Sequence, residues 1–443
     1  AGLINLNLNQ QQLVASAGSS PLFLNDAGSQ SLYGIPKQEQ TLEEVEQLLL
    51  GQLEIIKAGE FEDWIIAAII NDFKKNEKAR LEFNQARVSM MRDSFIQGSD
   101  WNYHIAELDR MSLLNKQDVV DVANKYFGND YVAVYRTDGQ NDIPEVEKPQ
   151  IDPVNIDSSL QSEFAANVLA MEHEAIEPTF VEAGKDYQVI EFADGVALYY
   201  APNPLNDLFT FSINVDVGTE EIEKLGLAAS LMEVAGTTTM SNEALQKEWY
   251  RMGTDFRFGV GGNSSSLSIS GLDEQFAASL TLALDLIKNP DSDEQTLQKM
   301  KGILLKFRED QKSSPPAISR ALYLYNRYGK ESPMLERLTS KEIQASTVDE
   351  LLSLPKQLLG YKQVLTYTGS MPLEDLTELL QQHYAIESEL KDTPAYRFRT
   401  ARNIEETEIY VVDQKTAQAQ VRIEFADGIY TENDSLMSSL YTS

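Results

Sequence analysis

The chain has 443 residues and not one cysteine, which removes disulfides, thiolate metal sites and cysteine nucleophiles together. Histidine is nearly as scarce. His104, His173 and His383 are the only three. No stretch approaches about 18 uninterrupted apolar residues, so no membrane span is expected. Basic residues are outnumbered, 37 against 69 acidic, giving a formal charge of −32. That balance argues against a nucleic-acid partner, which requires a basic face. It attracts basic peptides only weakly at long range and keeps the surface soluble. Neither a methionine nor a charged-then-apolar leader precedes Ala1-Gly2-Leu3, so the expectation is an internal fragment or a processed chain.

What is present is ordinary globular material, with 42% apolar and 24% charged residues in a length suited to roughly two to four domains. Residues 211–271 are the most informative. Phe211, Ile213, Val215 and Val217 alternate as a strand that breaks at Gly218. A helix follows with Leu227, Leu231, Val234 and Ala235 on one face. Ser241 is placed to cap a second helix, faced by Leu245, Trp249 and Met252 and stopped by Gly253. Two strands then flank the turn Gly261-Gly262-Asn263, with Leu267 and Ile269 alternating in the second.

Upstream, strands are expected at Leu3–Leu8, Leu13–Ala17, Leu22–Leu24 and Ser31–Ile35. Thr41-Leu42-Glu43-Glu44 is a capping box for a helix, with more helices near 62–74, 79–96, 100–111 and 117–127 and a closing strand at Tyr131–Tyr135. Residues 141–184 hold four prolines, ten acidic residues and one lysine, and read as an acidic linker with a short helix near 158–170. Strands 187–192 and 196–200 are joined by Asp194-Gly195. Helices follow near 274–288, 294–311 and 317–328. Thr347–Glu350 reads as a second capping box whose helix Pro355 ends early. A strand at 363–368, a helix from Leu373 to about Gln382, and strands near 408–413 and 419–425 complete the pattern.

The order of elements in 211–271 resembles the first half of an insulinase-like, pitrilysin-type (M16) zinc peptidase unit. In an active unit the helix after the Gly-Thr break carries His-x-x-Glu-His. Here Gly226-Leu227-Ala228 matches the lead-in, but the two histidine positions hold Ala229 and Glu233, and the catalytic glutamate position holds Met232. The third ligand, a glutamate farther on, aligns with Phe307, which continues a face with Leu297, Met300 and Leu304 and is expected to pack. The resemblance implies an α+β fold of repeated metallohydrolase-like half-domains, each a mainly antiparallel sheet covered by helices. It divides the chain into the late portion of a second half (1–140), the linker (141–184), a first half without the zinc motif (185–360), and the early portion of the next second half (361–443).

No catalytic, cofactor or metal residue is therefore expected in this chain. A catalytic zinc needs about three nitrogen, sulfur or carboxylate ligands and an open water position, and alanine, methionine and phenylalanine supply none. Glu233 and Glu309 are the carboxylates nearest the lost site, and carboxylates without histidine hold zinc poorly. His104 has Glu107 one turn on, His173 lies between Glu172 and Glu174, and His383 follows a helix end, a position favoured by the helix dipole. The glycines at 259, 261 and 262 lie between strands and lack a following Lys-Ser/Thr, so they read as a hairpin and not a phosphate loop. Serines 264, 265, 266, 268 and 270 have no base beside them and read as the polar face of a strand.

What the resemblance implies is the non-catalytic portion of a periplasmic or secreted zinc metallopeptidase, with zinc held by an active unit in cis or in trans. Such a portion closes a chamber around unfolded peptide, and the edge strand within 255–271 is the candidate peptide-binding element. The alternative is a stand-alone scaffold or assembly subunit that uses the fold without a protease partner.

Overall fold

The computed structural model describes residues 2–442 apart from 138, 140–146, 148, 151–156, 158–159, 173, 385, 387–388, 415–418 and 426–430. Residues Leu3–Leu8, expected as a strand, instead wind into a helical turn, π-pitched over Asn5–Asn9, that buries Leu6 and Leu8. The Asn9 side chain decides the matter. Its amide donates to the Ala17 carbonyl at 2.9 Å and accepts from the Ala17 N–H at 2.8 Å, so the turn folds back on the next segment.

That segment is a hairpin of β1 (Ser16–Phe23) and β2 (Gly28–Ile35). Helix α1 (Leu42–Ala58) starts at the expected capping box, with Thr41 and Glu44 bonding each other's backbone reciprocally, and ends at Gly59 with φ +67°. It is followed by α2 (Trp64–Leu81), α3 (Asn84–Gln97), α4 (Trp101–Ile105), α5 (Glu107–Met111) and α6 (Lys116–Tyr126). Tyr131–Tyr135 pairs with no strand among the described residues. Both tyrosine hydroxyls donate to the Glu46 carboxylate on α1, leaving Val132 and Val134 in water. Among the described residues of the linker, α7 (Glu163–Leu169) is capped by Ser162, inside the expected helix.

The central unit opens with β3 (Gln188–Ala193) and β4 (Val196–Pro202), joined through Gly195 at φ +75°, a left-handed conformation that glycine adopts without strain. In order come β5 (Leu208–Val215), α8 (Leu225–Met232), the short β6 (Gly236–Thr237), α9 (Asn242–Met252), β7 (Asp255–Val260) and β8 (Ser265–Leu272). Then follow α10 (Phe276–Lys288), β9 (Pro290–Asp291), which pairs with β6, α11 (Glu294–Gln311) and α12 (Pro315–Tyr328). The last elements are α13 (Ser340–Ala345), α14 (Val348–Leu358), β10 (Gln363–Gly369), α15 (Leu373–His383) and α16 (Glu432–Thr442).

Six of these strands form one mixed sheet in the order β3-β4-β10-β5-β8-β7, antiparallel throughout except where β10 runs parallel to β4. The fold class is α+β with helices over the sheet. Phe209, Phe211, Phe276 and Tyr367 meet in the core, with Phe276 4.9 Å from Phe209 and 5.0 Å from Tyr367 between ring centroids. β10 lies between β4 and β5, so residues 363–369 complete this sheet. A boundary between 360 and 361 would divide it.

Other expectations change in detail. Pro355 sits inside α14, which continues to Leu358 because Leu351 and Leu358 are buried on either side of it. Proline removes one helical hydrogen bond, and packing offsets that loss here. Thr347 caps α14 by accepting from Glu350 N–H at 3.4 Å, but the fully reciprocal box belongs to Thr339 and Glu342 at α13. Residues 408–413 and 419–425, expected as strands, belong to no sheet among the described residues.

The N-terminal unit docks on the central one through a shared apolar patch of Phe61, Ile65, Ala68 and Tyr250. Lys75 to Asp255 at 2.7 Å and Lys247 to Glu62 at 2.6 Å flank it.

Candidate functional site

The site begins where β5 ends. A Cβ on Gly218 would lie 2.4 Å from the carbonyl oxygens of Gly261 and Gly262, so only glycine lets the strand break against the β7–β8 turn. The contact is sealed by Thr219 N–H to Gly261 O at 2.9 Å and Glu220 N–H to Gly262 O at 2.8 Å. Two sequence features that looked separate, the Gly-Thr break and the glycine turn, are one structural joint. It aims α8 across the sheet.

Helix α8 is buried on two sides. Leu225, Ala229 and Met232 face the main core, while Leu227, Ala228 and Leu231 pack with Leu297 and Met300 of α11, Ile343 and Leu351. Of the four positions aligned with zinc-site residues, Ala229 and Met232 are thus filled by core packing. Glu233 lies just past the helix and is exposed as a residue. Its carboxyl is nonetheless crowded by protein, and burial pushes its pKa up against the opposing pull of Arg257. Phe307 does not pack as expected and is 37% exposed. Glu309 is exposed and paired with Lys312.

The donor set at these four places does not fit a catalytic zinc. Among the described residues no three His, Asp or Glu side chains gather as a metal site. His104 stands 3.9 Å from Glu107 and beside Trp101, and His383 Nδ1 lies 3.3 Å from Thr281 Oγ1. His173 lies outside the described residues. The Gly259–Gly262 stretch forms the expected hairpin connection. Ser265 is buried and donates to Val217 O at 2.7 Å, which is a fold contact and not a nucleophile's setting.

Beside α8 lies β7, the last strand of the sheet, with no strand on its outer edge among the described residues. Arg257, whose charge opposes the rise at Glu233, belongs to it. Asp255 at its start is bonded to Lys75 of α2, so one end of this edge touches the N-terminal unit.

Sequence reasoning missed a charged clamp at the other end. An extended segment, 393–402, crosses the β7–β8 turn, where Arg397 bonds Glu220 at 2.6 Å and Glu336 at 3.1 Å. Arg399 bonds Glu336 at 2.5 Å and also Glu220. The hydrogen bond from Arg399 holds the Glu336 carboxyl below the ordinary range. No local pattern signals this, because the partners lie between about 60 and 180 positions apart.

A second missed feature is Lys301, wholly buried on α11, whose Nζ donates to Gln344 O at 3.0 Å and Ser346 O at 2.6 Å. A lysine among Leu297, Met300 and Leu304 was the available signal.

No family model matches this sequence, and no curated protein does. Similar solved structures include the inactive domain of an M16 peptidase from Pseudomonas fluorescens, at 18% identity over 44% of this chain and 50% of that one, with a TM-score of 0.39. The first half of the periplasmic protease PqqL from Escherichia coli is 10% identical over 49% of each chain, TM-score 0.41. The ferredoxin protease FusC, solved in complex with Arabidopsis ferredoxin, is 13% identical over 90% of this chain and 48% of that one, TM-score 0.43. The chain spans about half the length of these solved chains, and the likeness is one of fold.

Proposed function

We propose that this chain is the non-catalytic part of an M16-like zinc metallopeptidase, helping to close a chamber and to hold unfolded peptide while another unit cuts. The observation that carries this reading is the pairing of a ligand-free α8 with the free outer edge of β7. Where the resemblance expects histidine and glutamate, packed Ala229 and Met232 stand with exposed Glu233 and Phe307, yet the strand beside them has no strand on its outer edge among the described residues. An extended peptide adding to β7 would bond through its main chain, so recognition would tolerate many sequences. Arg257 on that strand would favour peptides bearing a carboxylate near its position. Zinc and the water-activating glutamate belong, on this reading, to an active unit in cis or in trans, and the periplasm or the secreted space is the compartment it fits.

The test is binding of an unfolded peptide by fluorescence anisotropy, compared with the same peptide N-methylated at alternate residues. Loss of binding on methylation in one register but not in the other is expected, since only one edge of the added strand faces β7. Equal binding of all three peptides, or none of any, would overturn the proposal. Metal analysis of the purified chain is expected to find no stoichiometric zinc.

A further inference from the structure

The open face of the sheet ends at β7 in three alternate residues. The ladder sets Asp255 beside Ser270, Arg257 beside Ser268 and Gly259 beside Ser266. Phe256 and Phe258, between them, pack on the opposite side against the main core. Each of the three would meet an incoming strand differently. Asp255 is taken, because Lys75 holds its carboxylate at 2.7 Å. Arg257 is exposed and bonds no carboxylate among the described residues. Gly259 presents bare backbone, and a Cβ built there would find only Ser266 O, at 3.9 Å. The emptiness continues inward. Behind Gly259 come Ser266 and then Asn214 of β5. Asn214 Nδ2 donates to Ser212 Oγ at 2.9 Å and to Val364 O at 3.3 Å, which draws its side chain toward β10 and away from the edge. Glycine inside a strand weakens it, and often marks where another backbone or a ligand comes close.

We propose that β7 reads two alternate positions of the peptide it holds: an acidic side chain opposite Arg257 and a large aromatic one over Gly259. This specificity deepens the peptide-holding role and rests on it. Peptide residues opposite 257 and 259 are two apart and on one face, whichever way the peptide runs. Opposite charges attract across neighbouring strands, and an aromatic ring beside a strand glycine covers the bare backbone. The ring would lie over Gly259 and Ser266, where no bulky side chain competes for the space. The residue opposite Asp255 goes unread, since that carboxylate already has its partner.

The test uses unfolded threonine-rich peptides in fluorescence anisotropy, each carrying one glutamate and one phenylalanine. Spaced two apart, the pair is expected to bind about tenfold tighter than spaced three apart, where the two side chains fall on opposite faces. Arg257→Glu should move the charge preference from glutamate to lysine and leave the preference for phenylalanine over alanine intact. Gly259→Val should do the reverse, losing the aromatic preference and keeping the acidic one. The open surroundings of Gly259 let this variant fold, so its melting temperature should not fall. Equal binding at both spacings, or preferences that neither variant moves, would overturn this specificity and leave the peptide-holding role standing. Binding of no peptide at all would overturn both.

Discussion

Asn263, at the tip of the β7–β8 turn, treats Arg397 as a neighbouring strand would. Its Oδ1 accepts from the Arg397 N–H at 2.8 Å, and its Nδ2 donates to the Arg397 carbonyl at 3.3 Å. One side chain thereby docks the extended segment on the end of the sheet, and the two arginines fasten it. Asn263→Ala leaves both backbone groups to water and is expected to cost about 1 kcal/mol. Trypsin should then cut after Arg397 and Arg399 faster than in the parent chain. Equal cutting rates would show that the arginine pairs suffice alone.

The same clamp is expected to respond to acid. The Glu336 carboxyl is held below its ordinary value of 4.5, first by the hydrogen bond from Arg399. A carboxyl with a lowered folded pKa contributes fully above its unfolded value. That contribution fades as pH falls through the lower folded value. Proteolysis of 393–402 should therefore be slow at neutral pH and rise below about 4.5, measured with an acid-active protease. In Glu336→Gln the segment should be cut faster at neutral pH and lose much of that pH dependence.

Gly218→Ala tests the joint at the head of α8. The added methyl meets backbone oxygens on the facing turn, which cannot rotate aside as a side chain can. A loss of about 1–3 kcal/mol is expected, read as a lower urea midpoint at unchanged slope. Gly226→Ala, whose Cβ would meet only Thr219 at 3.8 Å, should be close to neutral.

Met232→Glu, which places the glutamate that the M16 resemblance expects at this position, should destabilise the chain strongly. Met232 is 1% exposed against the main core, and an unpaired charge there costs about 3–5 kcal/mol. Thermal melting reads this directly. A change near zero would mean that water reaches α8 from the sheet side.

Lys301→Met keeps the stem of the side chain and removes its donors to Gln344 and Ser346. Two carbonyls at the end of α13 lose their partner, at a cost of about 1–3 kcal/mol. Protection of the amides in α13 and at the start of α14 should fall most, as followed by hydrogen exchange.

Features that depend on a few consecutive residues were legible from the sequence alone. The caps at Thr41 and Ser241, the glycine stop at 253, the Asp194-Gly195 hairpin and the alternation in β5 and β8 all follow from backbone conformation and side-chain period. That 229 is alanine and 233 glutamate is likewise plain in the sequence, and alanine supplies no metal ligand wherever it sits. Only the tertiary structure decided what depended on distant partners. The Leu3–Leu8 run became a turn because Asn9 found Ala17, and Pro355 stayed inside a helix because its neighbours were buried. β10 entered between β4 and β5, across more than 140 residues of chain, because a strand's period does not name the edge it will meet. The exposure of Phe307 and the meeting of Arg397 and Arg399 with Glu220 and Glu336 have the same origin. Each depends on what lies nearby in space and far away in sequence, and no local spacing records that.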